Sequence, residues 1–114
     1  MTPVLCEAFE REMRLAAEAA HRDDLAAAFH HLERAHILGQ RRTWPHLRSH
    51  AAMLRIGWRR RDARELAGQL QRLAAAALFS RIWVPSGNTG GADVSALAPM
   101  PIPDDLRALL EAGG

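Results

Sequence analysis

Four stretches with the hydrophobic periodicity of α-helices, separated by short polar breaks, constrain the fold of this chain most. Apolar residues recur at steps of three and four across roughly residues 4–21, 25–38, 44–61 and 63–81, which is the spacing of one helical face. Because the breaks span only a few residues, neighbouring helices are expected to run antiparallel. The sequence therefore predicts an all-α fold: a four-helix antiparallel bundle of two helical hairpins, similar in geometry to tetratricopeptide repeats.

The composition agrees with a single helical domain. The chain has 114 residues, of which 48% are hydrophobic, and this is enough to build one core. Alanine and leucine dominate and tyrosine is absent, a composition that favours helix over strand. All fifteen basic residues are arginine, yet the net charge is only +2. The single cysteine, Cys6, excludes an intrachain disulfide and the Cys-x-x-Cys patterns of zinc sites.

Individual residues predict where the helices begin and end. Asp23 is the expected N-cap of the second helix, and Gly39 is its C-terminal stop. Pro45 suits the first turn of the third helix. Asp62, followed three residues later by Glu65, forms a capping box at the start of the fourth helix. The expected buried faces of the third and fourth helices are two apolar stripes, Leu47, Ala51, Leu54 and Trp58 in one and Leu66, Leu70, Leu73, Ala77 and Leu78 in the other.

The chain beyond residue 81 changes in composition. Residues 86–91 are rich in glycine, and residues 99–103 alternate proline with apolar residues, which is typical of extended backbone. Asp104 is expected to cap a short final helix that ends near Leu110. Because this segment also carries large apolar residues, we expect residues 82–114 to lie back across a helical bundle of residues 1–81, within one domain.

The second and third helices carry side chains that suit a transition metal. Glu33 and His36 stand one helical turn apart, and His36 falls in the middle of an apolar stripe. This Glu-x-x-His unit is the one that helical bundles use to hold iron or manganese. His46 and His50, expected at the edge of the apolar face of the third helix, are spaced to chelate one ion. The short turn between the two helices should bring both pairs together.

The predicted ligands of this single ion are Glu33, His36, His46 and His50, with His30 and Met53 as secondary candidates. Imidazole suits zinc, iron, copper or nickel, so the identity of the metal stays open. Asn88 and Thr89, in the glycine-rich segment, are candidates for covering the site. In the alternative interpretation, His36 is a core histidine satisfied by Glu33, and the other two histidines are ordinary residues of the helix interface.

The remaining polar residues are expected to be solvated. His31 projects away from the apolar face of its helix, and His21 lies at a loop. Cys6 is either a soft additional ligand or a small buried residue. The arginines at both ends of the third helix lack the exposed aromatic residues of a nucleic-acid surface, and acidic residues balance their charge.

Three runs of sequence resemble a small bacterial family of uncharacterised proteins, classed as a domain of unknown function. They are residues 31–40 (HLERAHILGQ), 87–91 (GNTGG) and 99–103 (PMPIP), and the resemblance extends from about Leu25 to Leu110. It implies no settled activity and no residue roles. It does imply an association with metal-handling genes, which agrees with the predicted site.

The sequence thus favours a helical protein that binds one transition-metal ion, as a metalloenzyme or as a metal-handling protein. A single Glu-x-x-His unit would need a homodimer to build a two-metal site, so a homodimer is a further expectation. The alternative is a metal-free helical-hairpin module that binds a protein partner, and binding of nucleic acid through the arginines is a third hypothesis. The sequence shows no signal peptide and no membrane span, which predicts a cytoplasmic location.

Overall fold

Within the residues that the structure describes, the protein forms five α-helices. The computed structural model describes residues 1–79, 84–95 and 97–113, and it contains no β-strand within these ranges. The helices are α1 (Pro3–His21), α2 (Leu25–Gly39), α3 (Thr43–Arg59), α4 (Ala63–Phe79) and α5 (Asp104–Gly113). The all-α prediction is confirmed. The expected end of the fourth helix near Arg81 lies outside the described residues.

Local chemistry explains most helix starts, with one correction. The hydroxyl of Thr2 caps α1 and accepts a hydrogen bond from the backbone of Leu5 at 3.3 Å. The N-cap of α2 is Asp24, whose carboxylate accepts from the Ala27 amide at 3.1 Å. The prediction of Asp23 as this cap is wrong, because Asp23 adopts a left-handed conformation (φ 64°) in the turn that closes α1.

The first four helices pack in chain order. Phe9 approaches Gly39 and Glu12 bonds to Arg34, so α1 and α2 run antiparallel. Contacts likewise join α2 to α3 and α3 to α4. In the described residues α4 contacts no helix other than α3, whereas α5 packs on α1 and α2. The contacts fit a helical bundle, while its tetratricopeptide-like geometry stays a prediction.

Two hydrophobic clusters form the core. The first joins α1, α2 and α3, and it includes Phe29, Leu32 and Met53. The second joins α1, α2 and α5, where Leu106 is completely buried against residues such as Phe9. The final helix therefore docks on the first hairpin through an apolar side chain, and burial of such side chains favours folding by about 1.5–3 kcal/mol each.

The predicted buried faces of α3 and α4 are wrong. Trp58 is 73% exposed and Leu70 is 59% exposed, although both belonged to the expected apolar stripes. The buried residues of α3 are His46, Ser49, His50, Met53, Ile56 and Gly57. The buried residues of α4 are Glu65, Gln69 and Ala76. Polar side chains can occupy the interior here because they form hydrogen bonds with one another.

None of the described helices combines the length and the apolar character that crossing a lipid bilayer requires.

Candidate metal centre

Three buried histidines meet between α2 and α3. His36 comes from the last turn of α2, and His46 and His50 come from the first two turns of α3. Their exposed fractions are 3%, 8% and 2%. The connection between the helices is only residues 40–42, so the end of α2 and the start of α3 are held side by side. The structure thus brings together three of the four predicted ligands.

The ring nitrogens converge on one point. His46 Nε2 lies 3.0 Å from His36 Nε2 and 3.1 Å from His50 Nε2. One nitrogen from each ring lies within 4.8 Å of the others. Ligand nitrogens bound tetrahedrally to zinc at 2.0–2.1 Å would stand about 3.3 Å apart. The two distances from His46 Nε2 are therefore already close to this spacing.

Hydrogen bonds at the far side of two rings determine which nitrogen points inward as a lone pair. His36 Nδ1 lies 2.8 Å from the carbonyl oxygen of Asn88, which can only accept, so Nδ1 carries the hydrogen. His50 Nδ1 donates in the same way to Gln69 Oε1 at 2.5 Å. In the neutral rings both Nε2 atoms are then free acceptors, which is the form that binds metal.

The third ring leaves this cluster short of hydrogen-bond donors. His46 Nδ1 is buried and makes no hydrogen bond with any described residue. If its hydrogen is on Nε2, it can be donated to only one of the two facing nitrogens, and Nδ1 remains an unsatisfied acceptor. If its hydrogen is on Nδ1, three lone pairs face one another. In either tautomer polar nitrogens stay unsatisfied, which is rare and costly in a protein interior.

Burial keeps all three rings neutral. Desolvation is the main cause that lowers the pKa of each ring, and the neighbouring imidazoles lower the pKa of His36 and His46 further. The pKa of His46 falls to about 3 and that of His50 to about 4, and the pKa of His36 falls well below 6.5. Neutral imidazole is the state that a metal ligand needs, so no proton has to leave at neutral pH before an ion binds.

Side chains on α4 orient the His50 ring. Gln69 is completely buried, and its Nε2 donates to Glu65 Oε2 at 2.5 Å and to the Gly90 carbonyl at 2.8 Å. These two acceptors orient the amide so that Oε1 faces His50. Glu65 in turn accepts from the Ala92 amide. Glu65 was expected to close a capping box on its own helix, but its side chain joins this network instead.

The glycine-rich segment lies against the His36 ring, in part through its backbone. Asn88, predicted as a covering residue, is buried and supplies its carbonyl to His36. Its side chain donates to the carbonyls of Ser95 and Ala98 and accepts from the Gly90 amide, so it braces the segment. Gly90 has φ 85°, and a Cβ there would lie 2.7 Å from the His36 ring. Only glycine allows the chain to approach the imidazole so closely.

Glu33, the fourth predicted ligand, lies outside the group of converging nitrogens. Its carboxyl is half-buried, and its pKa is raised by desolvation and by the carboxylates of Asp93 and Glu65. Thr89 lies close enough to lower this pKa, but its buried hydroxyl makes no hydrogen bond of ordinary geometry with a described residue. Glu33 is thus not one of the converging ligand groups.

The secondary candidates have other surroundings. His30 is exposed, and Met53 is buried with its sulfur 3.4 Å from Gln69 Nε2. Cys6 is exposed, so the prediction that it is a small buried residue is wrong. The prediction of a solvated His31 is wrong, because its Nδ1 lies 2.9 Å from the buried carboxylate of Glu12.

Comparison with known proteins identifies a family. The family model DUF3703, described as a protein of unknown function, matches residues 4–110. The chain belongs to this family. The match confirms the resemblance to a domain of unknown function, and it covers all three histidines of the centre as well as Gln69 and Asn88. No curated protein and no solved structure matches the chain.

Sequence reasoning missed Gln69 and Glu65. Their spacing of four residues places them on one face of α4, and this was a usable signal. It was hidden because the leucines of the same helix form a stronger periodic pattern, although the structure leaves these leucines exposed or only half-buried.

Proposed function

We propose that the protein binds one transition-metal ion through the Nε2 atoms of His36, His46 and His50, and that zinc is its preferred ion. The proposal rests on one observation: three buried ring nitrogens converge, and too few N–H groups are present to satisfy all of their lone pairs. A cation placed between them would accept all three lone pairs. Three imidazoles are a ligand set typical of zinc, and one that iron, copper and nickel also accept.

One carboxylate makes an indirect contact with the centre. Glu65 accepts a hydrogen bond from Gln69, whose amide oxygen in turn accepts from the His50 ring. An indirect carboxylate contact of this kind raises the basicity of a histidine ligand. The positive charge of Arg72 acts in the opposite sense, because it lowers the pKa of His36 and of His50.

Three protein ligands leave one position of a tetrahedral ion for water or another small ligand. A zinc site of this composition lowers the pKa of its bound water towards neutrality and can supply a nucleophile. The same position would serve exchange of the ion in a metal-handling protein. We propose a metal site with one exchangeable position, and the reaction class it fits is metal-assisted hydrolysis.

Elemental analysis of protein purified without a histidine tag tests the proposal. We expect close to one metal ion per chain in the wild-type protein. His36→Ala and His50→Ala should each carry at least about tenfold less metal, because two imidazoles hold an ion far more weakly than three. His30→Ala is the matched control, since this exposed histidine lies on the same helix, and it should retain full metal content. Protein that carries no metal and shows no thermal shift with zinc, iron, copper or nickel would overturn the proposal.

Cobalt substitution distinguishes the geometry. A three-histidine site with one water should give the intense visible absorption of tetrahedral cobalt(II), whereas a six-coordinate site gives weak bands. Weak bands at full cobalt occupancy would contradict the proposed coordination even if metal is bound.

A further inference from the structure

A second candidate site lies on the face of the protein between α1 and α3. These two helices touch only slightly, and the gap between them forms a groove of about 490 Å³. Leu32 of α2 lies at its floor. The volume falls within the range of ligand-binding clefts. None of the three histidines of the metal centre lines this groove.

Arginines of α3 bridge the groove at both ends. Near one end Arg48 pairs with Glu10 of α1. Near the other end Arg59 donates to the Ala20 carbonyl at 2.9 Å and to the Asp23 carboxylate at 2.9 Å. The bridges show that α1 and α3 run in the same direction. At 1.5 Å per residue, the distance from Glu10 to Ala20 gives the groove a length of about 15 Å.

The arginines between these bridges have no anionic partner. Arg14 of α1 and Arg55 of α3 both line the groove, and both are exposed. Neither forms an ion pair or a hydrogen bond with any residue in the described part of the chain. Among the described residues, four arginines line the groove against a single carboxylate, that of Glu10. Its potential is therefore positive, and two guanidinium groups are available to an anionic ligand.

The groove surface between the arginines is apolar and composed of small side chains. Alanines contribute much of it, and the larger apolar residues are Met13, Leu32 and Ile56. Small side chains let a ligand backbone approach the helices closely. None of the described residues that line the groove is aromatic, so these residues offer no stacking surface of the kind with which single-stranded nucleic acids are usually bound.

We propose that this groove binds an acidic, extended peptide segment of about four or five residues with small or medium apolar side chains between its carboxylates. An extended chain covers about 3.3 Å per residue, so this length matches a groove of about 15 Å. Arg14 and Arg55 would bind the carboxylates, and the alanine floor would bury the apolar side chains. The site is separate from the metal centre and does not depend on it.

Fluorescence anisotropy with labelled pentapeptides tests this inference. The probe alternates aspartate and leucine, with aspartate at both ends, and the controls replace aspartate by glutamine or by lysine. We expect only the acidic probe to bind, and added salt to weaken its binding. The Arg14→Ala/Arg55→Ala variant should bind at least about tenfold more weakly, because each charge-assisted hydrogen bond contributes on this scale.

Matched variants keep the test specific. Arg41→Ala/Arg42→Ala removes the same charge from an exposed turn outside the groove and should bind the probe normally. Ala17→Phe should block binding by filling the groove without adding charge, and circular dichroism checks that it folds. All variants should keep full metal content, so failure of this inference would leave the proposed metal function untouched.

Three results would overturn the inference: no binding of the acidic probe, equal binding of the lysine probe, or a normal affinity in the Arg14→Ala/Arg55→Ala variant. A labelled oligouridylate that binds tightly and loses affinity in the same variant would assign the groove to RNA instead and would likewise overturn it.

Discussion

Acidification of the metal-free protein should destabilise it already in the pH range where free histidines titrate. The perturbation is a change from about pH 7 to about pH 5.5 after removal of metal with a chelator. In the unfolded chain the three histidines titrate near 6.5, whereas in the native state burial lowers the pKa of His46 to about 3, that of His50 to about 4, and that of His36 well below 6.5. The unfolded state therefore binds protons first, and stability falls as the pH falls.

The magnitude follows from proton linkage. At about pH 5.5 an unfolded histidine is roughly 90% protonated, while its buried counterpart is neutral. Relative to about pH 7, this costs about 1.3 kcal/mol per histidine and about 4 kcal/mol for the three. Such a loss is a large fraction of the stability of an ordinary domain.

Other groups contribute little within this range. The pKa values of Glu10 and Asp105 are lowered by hydrogen bonds from their arginine partners, so their contribution is lost only at lower pH. Glu33 acts in the opposite sense, because its raised pKa lets the native state take up a proton first and offsets a part of the loss.

Urea unfolding followed by circular dichroism measures the effect. His46→Leu replaces one titrating ring by an apolar side chain of similar size. The stability that this variant loses between about pH 7 and about pH 5.5 should therefore be about two-thirds of the wild-type loss. His30→Gln, an exposed control, should reproduce the wild-type loss. A wild-type decrease below about 1 kcal/mol, or the same decrease in His46→Leu, would refute the assignment of three neutral buried histidines.

Three further predictions test individual parts of the structure. Gln69→Leu removes the acceptor that orients one of the three rings and should weaken metal affinity about 10–100-fold in a chelator competition assay, whereas Gln71→Leu at an exposed position should not. Gly90→Ala would force a Cβ to within 2.7 Å of the His36 ring, so both its melting temperature and its metal affinity should fall; unchanged values would contradict the close approach. Asp24→Ala should cost about 1 kcal/mol of unfolding free energy by removing the N-cap of α2, with no effect on metal content.

The helices themselves were predictable from local information. Periodicity located α1 to α4, and Asp104 marked the beginning of α5. The meeting of His36 with His46 was also predictable, because the connection between α2 and α3 is too short to let these residues separate. Helix periodicity and loop length depend only on residues that are close in the sequence, so both can be predicted from the sequence alone.

The rotation of α3 and α4 about their own axes was not predictable in this way. A helix normally buries its apolar face, yet Leu70 and Trp58 are exposed and Gln69 and His50 are buried. The reason is that the buried polar groups form hydrogen bonds, and several of their partners lie on elements far apart in the chain. The free energy given up by leaving leucines exposed is small compared with that of leaving these polar groups buried without partners. The hydrogen bonds therefore determine which side of α4 faces inward.

By itself, the sequence determined an all-α chain with histidines on either side of a short turn. The tertiary structure decided which of the candidate ligands come together and which only lie nearby. Asn88 orients His36 across 52 residues, and Gln69 orients His50 across 19. Such contacts depend on the packing of the glycine-rich segment and α4 against the histidines, because a hydrogen bond forms only when its two atoms are brought within about 3 Å.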